Sequence, residues 1–249
     1  MQAERTPLIT SANIDVAVPP SKPDGFARQA VMTLKKTLRE RHRRLVFGRA
    51  VRSLRRSLRA GGAVDTELDA LIYGWNNDGW SASRELMQEV LRCACRTQGA
   101  ILECGSGLTT LLLGLVAERT RSSVCSLEHD AFWTERVQRA MASYGVTAVD
   151  VRLGALRSFG DYSWYSVAPD TLPCDIALVV CDGPPADTPG GRYGLLPMLR
   201  PRLAPGCTIL LDDAMRPGEQ QVLERWEREL GTRRIVEGSE KPFARITVR

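Results

Sequence analysis

The feature that most constrains this chain is a regular alternation of short apolar segments with longer helical patterns, which begins near residue 100. The apolar segments have the Val, Ile, Leu and Cys content of buried strands, and the segments between them have helical spacing. Strands are predicted at 100–102, 123–127, 146–153, 175–181, 208–211, 233–237 and 244–248, and helices at 108–119, 131–144, 192–203 and 219–230. This order predicts an α/β fold with a doubly wound, mostly parallel sheet, in which ligands bind beyond the carboxyl ends of the strands.

Three segments are predicted along the chain: a flexible lead-in over 1–24, a basic helical arm over 25–62, and the main domain over 63–249. The lead-in is rich in proline and polar residues, a composition that disfavours a packed core. Residues 22–60 hold thirteen Lys and Arg against two acids, a local charge of +11 within a net charge of +5. The rest of the chain is therefore mildly acidic, which argues against a uniformly basic nucleic-acid-binding enzyme.

The basic arm admits three interpretations. It can pack on the main domain as a solvated helix, contact an anionic membrane surface through residues 26–60, or touch nucleic acid. No apolar run approaches the ~20 residues of a membrane-spanning helix, and the N-terminus lacks the pattern of a secretory signal. The seven cysteines include no C-x-x-C pair, which favours reduced thiols and a cytoplasmic location. Assembly as a homo-oligomer is left open.

A glycine-rich turn, E-C-G-S-G over residues 103–107, follows the first predicted strand. Glycines let the backbone turn tightly and approach a ligand, and the helix that follows presents free N–H groups. A dinucleotide site needs G-x-G-x-x-G/A, whereas Thr110 stands at the third position here. Because the Glu103 carboxylate would repel a pyrophosphate, the turn is better suited to a cationic ligand.

The second predicted strand ends at Glu128, twenty-one residues beyond Gly107. An acidic residue at this place can accept hydrogen bonds from both ribose hydroxyls of a nucleoside cofactor. The neighbouring His129 is a candidate for lining the same pocket. Dehydrogenases share this acidic residue, so it predicts a nucleoside ligand without identifying the reaction.

Three aspartates follow the fourth and fifth predicted strands: Asp182 in V-C-D-G-P-P, and the Asp212-Asp213 pair. Because neighbouring parallel strands end at one edge of the sheet, these carboxylates are expected to converge. In one interpretation they bind Mg²⁺, which fixes a substrate hydroxyl and lowers its pKa. In the other no metal is bound, Asp182 is the candidate base, and Asp212 or Asp213 caps the helix that starts near Arg216.

The motifs E-C-G-S-G-L-T-T, S-L-E-H-D and V-C-D-G-P-P resemble those of class I S-adenosylmethionine-dependent methyltransferases, over residues 80–249. The resemblance implies a Rossmann-like fold with a seven-stranded sheet, and a cofactor whose sulfonium and ammonium groups suit an acid before the glycines. The implied cofactor-binding residues are Glu103, Gly105, Ser106, Gly107, Thr109, Glu128, His129, Gly154, Ala155 and Leu156.

The three aspartates are similar to those of the metal-dependent small-molecule O-methyltransferases of the catechol type and of the macrocin and novobiocin type. That resemblance implies O-methylation of a small-molecule acceptor, with Asp182, Asp212 and Asp213 as Mg²⁺ ligands. Aromatic residues concentrated in loops are candidates for shaping the acceptor site, and simple packing of the loops onto the domain is the alternative interpretation. These residues are Trp75, Trp80, Tyr162, Trp164, Tyr165 and Tyr193. The segments 161–165 and 190–193, which flank the fourth predicted strand, are the candidates for a lid over the acceptor.

Two other functions stay open at this stage. One is an NAD(P)-dependent oxidoreductase, against which both Thr110 and Glu103 argue. The other is a catalytically inactive methyltransferase fold that acts as a binding module through the basic arm. The intact glycines and acids argue against that second alternative.

Overall fold

A computed structural model describes residues 25–62, 66–77 and 82–248 of the chain. The predicted flexible lead-in, residues 1–24, lies outside the described residues, and so does Trp80. None of the helices in the described residues is long and apolar enough to cross a membrane.

The first helix, α1, runs without a break from Gly25 to Ala60. The chain divides into two compact units, residues 1–41 and 42–249, so this boundary falls inside α1. In the first unit the described side chains of α1 are exposed, including Leu34 and Leu38. The boundary between the two units lies at 41/42, whereas the sequence analysis placed the boundary between arm and main domain at 62/63.

The part of α1 in the second unit is a component of the core. Phe47, Val51, Leu54 and Leu58 recur at helical spacing and are all buried. They pack in one cluster with apolar residues of the helices and strands that follow. Because burial of such side chains contributes about 1.5–3 kcal/mol each, this half of the predicted arm belongs structurally to the main domain.

The predicted α/β fold is confirmed. Seven strands form one sheet in the order β3-β2-β1-β6-β7-β9-β8, and only β9 runs antiparallel to its two neighbours. The strands of this sheet are β1 (Ala100–Cys104), β2 (Val124–Glu128), β3 (Val149–Leu153), β6 (Ile176–Cys181), β7 (Leu203–Leu211), β8 (Arg233–Glu237) and β9 (Phe243–Thr247). The strand order reverses between β1 and β6, which is where ligands bind in sheets of this type.

Helices cover both faces of the sheet, and a buried apolar cluster lies on each side. They are α2 (Leu68–Trp75), α3 (Arg84–Ala94), α4 (Leu108–Thr120), α5 (Ala131–Ser143), α6 (Leu195–Leu199) and α7 (Pro217–Leu230). Ser83 caps α3, because its Oγ accepts from the Leu86 amide at 3.1 Å. The α6 helix is shorter than the predicted 192–203, since Pro197 and Pro201 cannot donate to a helix ladder.

A small hairpin was missed by the sequence analysis. Strands β4 (Leu156–Ser158) and β5 (Ser163–Tyr165) pair antiparallel between β3 and β6. Three-residue strands leave too little alternation to be recognised from sequence. The hairpin places Trp164 and Tyr165 in the core, beneath the loops that follow β1 and β6.

Candidate active site

The loops after β1, β2, β6 and β7 surround a cavity of about 460 Å³. Its wall contains most of the residues singled out from the sequence. Those on the wall are Gly105, Ser106, Gly107, Thr109, Glu128, His129, Asp182 and Asp213. Residues from motifs after four different strands thus meet in one place, as expected for the point where strand order reverses.

The two glycines of the turn after β1 have different roles. Gly105 has φ +87°, and a Cβ there would lie 2.7 Å from the Gly183 amide nitrogen. It is required for close approach of the β1 and β6 loops. Gly107, in contrast, has an extended backbone with φ −179°, and a Cβ there would meet nothing within 4 Å. Because Gly107 is on the cavity wall, its missing side chain leaves room for a ligand.

Glu103 lies beneath the turn and is fully buried, so it is not on the cavity wall. Its carboxylate accepts hydrogen bonds from the hydroxyls of Thr109 at 2.5 Å, Thr110 at 2.6 Å and Ser126 at 2.6 Å. Burial raises the pKa of Glu103 to about 7, despite these three donors. Glu103 therefore does not have the expected position for contact with a cationic ligand. Its hydrogen bonds instead connect the turn to α4 and β2 inside the protein.

Glu128 is the acid that does reach the cavity wall, although only 3% of its surface is exposed. One carboxylate oxygen accepts from both the amide and the hydroxyl of Ser106, each at 2.9 Å. The other accepts from the amides of His129 at 2.7 Å and Asp130 at 3.0 Å. Its negative charge is thus held in place by backbone donors beside the glycine turn.

The loop after β3 is arranged differently from the expectation. Gly154, Ala155 and Leu156 are not on the wall of the cavity. A Cβ on Gly154 would lie 2.6 Å from a methyl of Val167, so this glycine permits packing against the segment that leaves the β4–β5 hairpin. Leu156 belongs to β4.

The acidic end of the cavity contains the three predicted aspartates. Carboxylate oxygens of Asp182, Asp212 and Asp213 all lie within 4.8 Å of one another. Asp212 is fully buried and Asp213 is nearly so, with φ +57°. The α7 helix begins with Arg216 at its N-cap position, so neither Asp212 nor Asp213 caps it.

Arg192 is buried among these carboxylates, with 2% of its side chain exposed. It donates to the backbone oxygens of Asp182 and Asp212, each at 2.6 Å, and lies 3.4 Å from a carboxylate oxygen of Asp213. Although burial disfavours its charge, Glu219 and then Asp182 raise the pKa of Arg192. Arg192 therefore joins the β6 and β7 loops as a permanent cation.

Lys241 reaches the same cluster from the turn between β8 and β9. Its Nζ lies 2.6 Å from Asp212 Oδ2 and 3.3 Å from Asp213 Oδ1. Burial opposes its charge, but Asp212 raises the pKa of Lys241 above its ordinary value. Arg216 pairs with the outer side of Asp213, with its Nη1 2.8 Å from Oδ2. The sequence analysis assigned none of these three cations to the site. Arg192 and Lys241 are distant in sequence from Asp212 and Asp213, and Arg216 was noted only as the start of a helix.

Asp182 has the most perturbed environment at this end. Burial, and then the nearby Asp212 carboxyl, raise the pKa of Asp182 well above its usual range. About a quarter of the side chain is exposed (24%), and it lies on the cavity wall. A partly exposed carboxyl with a raised pKa is typical of a group that exchanges a proton with a ligand.

The described loop aromatics predicted near the acceptor separate into two groups. Trp75 and Tyr165 are on the cavity wall, whereas Tyr162, Trp164 and Tyr193 are not, and they pack in the apolar cluster on one side of the sheet. Within the described residues the Tyr165 hydroxyl is buried without a hydrogen-bond partner.

Two aromatic residues of the cavity wall, Phe132 and Trp133, were missed by the sequence analysis. Both lie at the start of α5, and the Trp133 indole donates to the Ser106 carbonyl at 2.5 Å. The D-A-F-W sequence after β2 contains them, but helix periodicity gave no reason to assign them to a pocket.

Comparison with known proteins agrees with this fold. Residues 102–214, from β1 through the aspartate pair, match a family model described as a methyltransferase domain. No match is found among curated proteins.

Solved structures with the same fold have low sequence identity to this chain. A putative caffeoyl-CoA O-methyltransferase from Staphylococcus aureus superposes with a TM-score of 0.58 at 11% identity, over 76% of this chain and 94% of that one. An O-methyltransferase from Bacillus cereus in complex with SAH gives 0.54 at 13% identity, over 74% and 90%. An SAH-bound methyltransferase from Podospora anserina gives 0.53 at 17% identity, over 80% and 88%.

The chain therefore has the fold of class I S-adenosylmethionine-dependent methyltransferases, and its residues 102–214 match a methyltransferase domain. This similarity favours a methyltransferase over the oxidoreductase considered from the sequence. The residues that act in this chain are inferred from its own geometry.

Proposed function

We propose that this protein transfers the methyl group of S-adenosylmethionine to a hydroxyl oxygen of a small-molecule acceptor. The observation that carries the proposal is the single cavity whose wall joins the glycine turn and Glu128 at one end to Asp182 and Asp213 at the other. A donor and an acceptor bound in this cavity would be neighbours. Its volume of about 460 Å³ is in the range of small-molecule sites.

The cofactor end fits a nucleoside with a cationic sulfur. Gly107 leaves open space at the wall, and Glu128 offers carboxylate oxygens for ribose hydroxyls. His129, Phe132 and Trp133 supply flat surfaces beside them. When bound, S-adenosylmethionine supplies an electrophilic methyl group on a sulfonium.

The chain's own residues have two tasks in the transfer. They hold the acceptor oxygen about 3 Å from the methyl group and in line with the bond that breaks, and they take the hydroxyl proton. Asp182 is the candidate base because it lies on the wall and because burial and the nearby Asp212 carboxyl raise its pKa well above its usual range. A C–O bond forms, the S–C bond breaks with its electron pair left on sulfur, and the proton goes to Asp182.

The acceptor end offers the oxygen ligands that a divalent metal ion prefers, but the negative charge of these ligands is already paired with cationic side chains. Three carboxylates within 4.8 Å would suit Mg²⁺. These same carboxylates, however, are in contact with a lysine and two arginines. Including Glu219, which pairs with Arg192, four acids face three cations. The three cations already offset most of this negative charge, so the proposed reaction uses no metal ion.

Calorimetry on the full chain with S-adenosylmethionine, S-adenosylhomocysteine and NADH tests the proposal. We expect the two sulfur nucleosides to bind at one per chain, and NADH not to bind. The Glu128→Ala variant should bind them about tenfold or more weakly, because hydrogen bonds to a charged group contribute about 1.5–3 kcal/mol. Failure of folded wild-type protein to bind either nucleoside would refute the proposal. A screen of small hydroxylated acceptors with a cofactor-turnover assay then identifies the substrate.

A further inference from the structure

Lys241 is held at the acceptor end of the cavity by a turn that is fixed on two sides. In the turn between β8 and β9, the amide and hydroxyl of Ser239 donate to the Glu85 carboxylate at 2.8 and 2.9 Å. The Pro242 carbonyl accepts from the Ala214 amide at 2.9 Å. These contacts place the lysine backbone next to the Asp212-Asp213 pair.

The Lys241 ammonium lies against the most deeply buried of the aspartates. The Nζ atom contacts Asp212 Oδ2 at 2.6 Å and Asp213 Oδ1 at 3.3 Å. The side chain is 28% exposed and forms part of the cavity wall. An ammonium has three N–H donors. Asp212 Oδ2 accepts one of them, and Asp213 lies at ion-pair distance. An N–H donor is therefore available to an oxygen atom in the cavity.

A divalent ion bound by the three aspartates would have to use these same oxygens. It would stand within a few ångströms of the Lys241 ammonium, and like charges at such separation repel strongly in a buried site. Asp212 Oδ1 has no hydrogen-bond partner among the described residues. An oxygen of Asp212 is therefore still free to contact a cation, and the Lys241 ammonium already provides a positive charge beside it.

We propose that Lys241 is the resident cation of the acceptor site, in the place that a divalent metal would otherwise take. Its ammonium neutralises Asp212 and Asp213 and donates its remaining N–H to the acceptor's hydroxyl oxygen, which positions that oxygen for attack on the methyl group. The inference rests on the proposed function. It assigns to this chain a metal-independent reaction on small hydroxylated acceptors.

The test is a titration of the full chain with Mn²⁺ in which binding is measured by calorimetry. Wild-type protein should show no stoichiometric Mn²⁺ site. Lys241→Met removes the positive charge and keeps a side chain of similar length. This variant should bind one Mn²⁺ per chain at least about tenfold more tightly than wild type, because three carboxylates lose their counter-ion. The double variant K241M/D212N should lose that site again.

Arg216 provides the matched control. Like Lys241, it lies on the cavity wall and pairs with Asp213, but it has no contact with Asp212. Arg216→Met should therefore gain no Mn²⁺ site. Lys241→Arg, which keeps the positive charge, should gain none either.

One stoichiometric Mn²⁺ in wild-type protein, bound as tightly as in K241M, would overturn the inference. So would absence of the ion from folded K241M and from folded Lys241→Gln. If K241M unfolds in metal-free buffer, its melting temperature is the readout. Mn²⁺ should raise that temperature for K241M and leave wild type unchanged, since a ligand that binds only the folded state stabilises it.

These results are distinguishable from failure of the proposed function. S-adenosylhomocysteine binding reports on the cofactor end, where Lys241 has no role, and should change less than about twofold in K241M since the two sites are separate. If wild type fails to bind the nucleoside, the methyltransferase proposal fails. If it binds the nucleoside and also a tight Mn²⁺, only the role of Lys241 fails.

Discussion

The two ends of the cavity stabilise buried acids in opposite ways. At the cofactor end, Glu103 is surrounded by the neutral hydroxyls of Thr109, Thr110 and Ser126. At the acceptor end, the aspartates are surrounded by charged side chains, with Arg192 and Lys241 in direct contact. Hydroxyls compensate burial incompletely, so the pKa of Glu103 rises to about 7.

The difference shows what each end is suited to do. Hydroxyl donors give the cofactor end a rigid turn with little net charge beneath it. The acceptor end has excess acid, and the pKa of Asp182 is raised by burial and by Asp212. Proton exchange is therefore expected at the acceptor end, and shape recognition at the cofactor end.

The largest effect expected is at the acceptor end. Asp182→Asn removes the candidate base and should lower the methyl-transfer rate by about 10²–10⁴-fold. In wild type the rate should rise with pH through the raised pKa of Asp182, because only the ionised carboxylate accepts a proton. Turnover measured against pH checks both points, with S-adenosylhomocysteine affinity as the control. A variant with a normal rate would show that Asp182 is not the base.

At the cofactor end, Gly107→Val should weaken cofactor binding by about 100-fold, since overpacking a tight contact costs about 1–3 kcal/mol. The melting temperature should change little, because a Cβ there meets no protein atom within 4 Å. Gly105→Ala is the contrasting variant, and it should lower the melting temperature because of the contact with Gly183. Calorimetry measures cofactor affinity and thermal unfolding measures stability, so the two methods on both variants show which glycine makes room for the ligand and which makes room for the neighbouring backbone. Full cofactor affinity in G107V would remove Gly107 from the site.

Glu103→Gln tests the claim that hydroxyls compensate burial incompletely. The folded pKa of Glu103 is about 7, above its ordinary 4.5, so the folded state holds this proton more tightly than the unfolded state. The contribution of Glu103 to stability is therefore present below about pH 4.5 and is lost as pH rises toward 7, by about 1.4 kcal/mol per unit at most. Denaturant unfolding between these pH values should show a smaller slope for Glu103→Gln. An identical slope would contradict the raised pKa.

The smallest effect is expected at Trp133, whose indole donates a hydrogen bond to the glycine turn. Trp133→Phe removes the hydrogen bond from the indole to the Ser106 carbonyl but keeps an aromatic ring on the cavity wall. We expect S-adenosylhomocysteine affinity to fall by less than about tenfold, since one neutral hydrogen bond contributes about 0.5–1.5 kcal/mol. Calorimetry measures the change, and a loss as large as that of Gly107→Val would mean that Trp133 contacts the ligand directly.

The central strands β1, β2 and β6 followed from the sequence because they are buried along nearly their whole length and therefore form continuous apolar runs. The hairpin of β4 and β5 did not, since each strand has only three residues. The division inside α1 was also not visible, because helical spacing is the same whether a helix packs on the domain or not. Burial of Phe47 and Leu58 is a tertiary fact.

By itself the sequence determined the α/β class and the glycine turn, because both depend on local patterns. It also predicted that Glu128, Asp182 and Asp213 meet at one cavity, because each follows or ends a strand and the carboxyl ends of parallel strands share one edge of the sheet. Tertiary structure alone decided which acid reaches that cavity and which cations neutralise the others. Glu103 and Glu128 end neighbouring strands alike, yet one is buried beneath the turn and the other faces the ligand space. Lys241 meets Asp212 across twenty-nine residues of chain, and local spacing has no physical means of specifying such a contact.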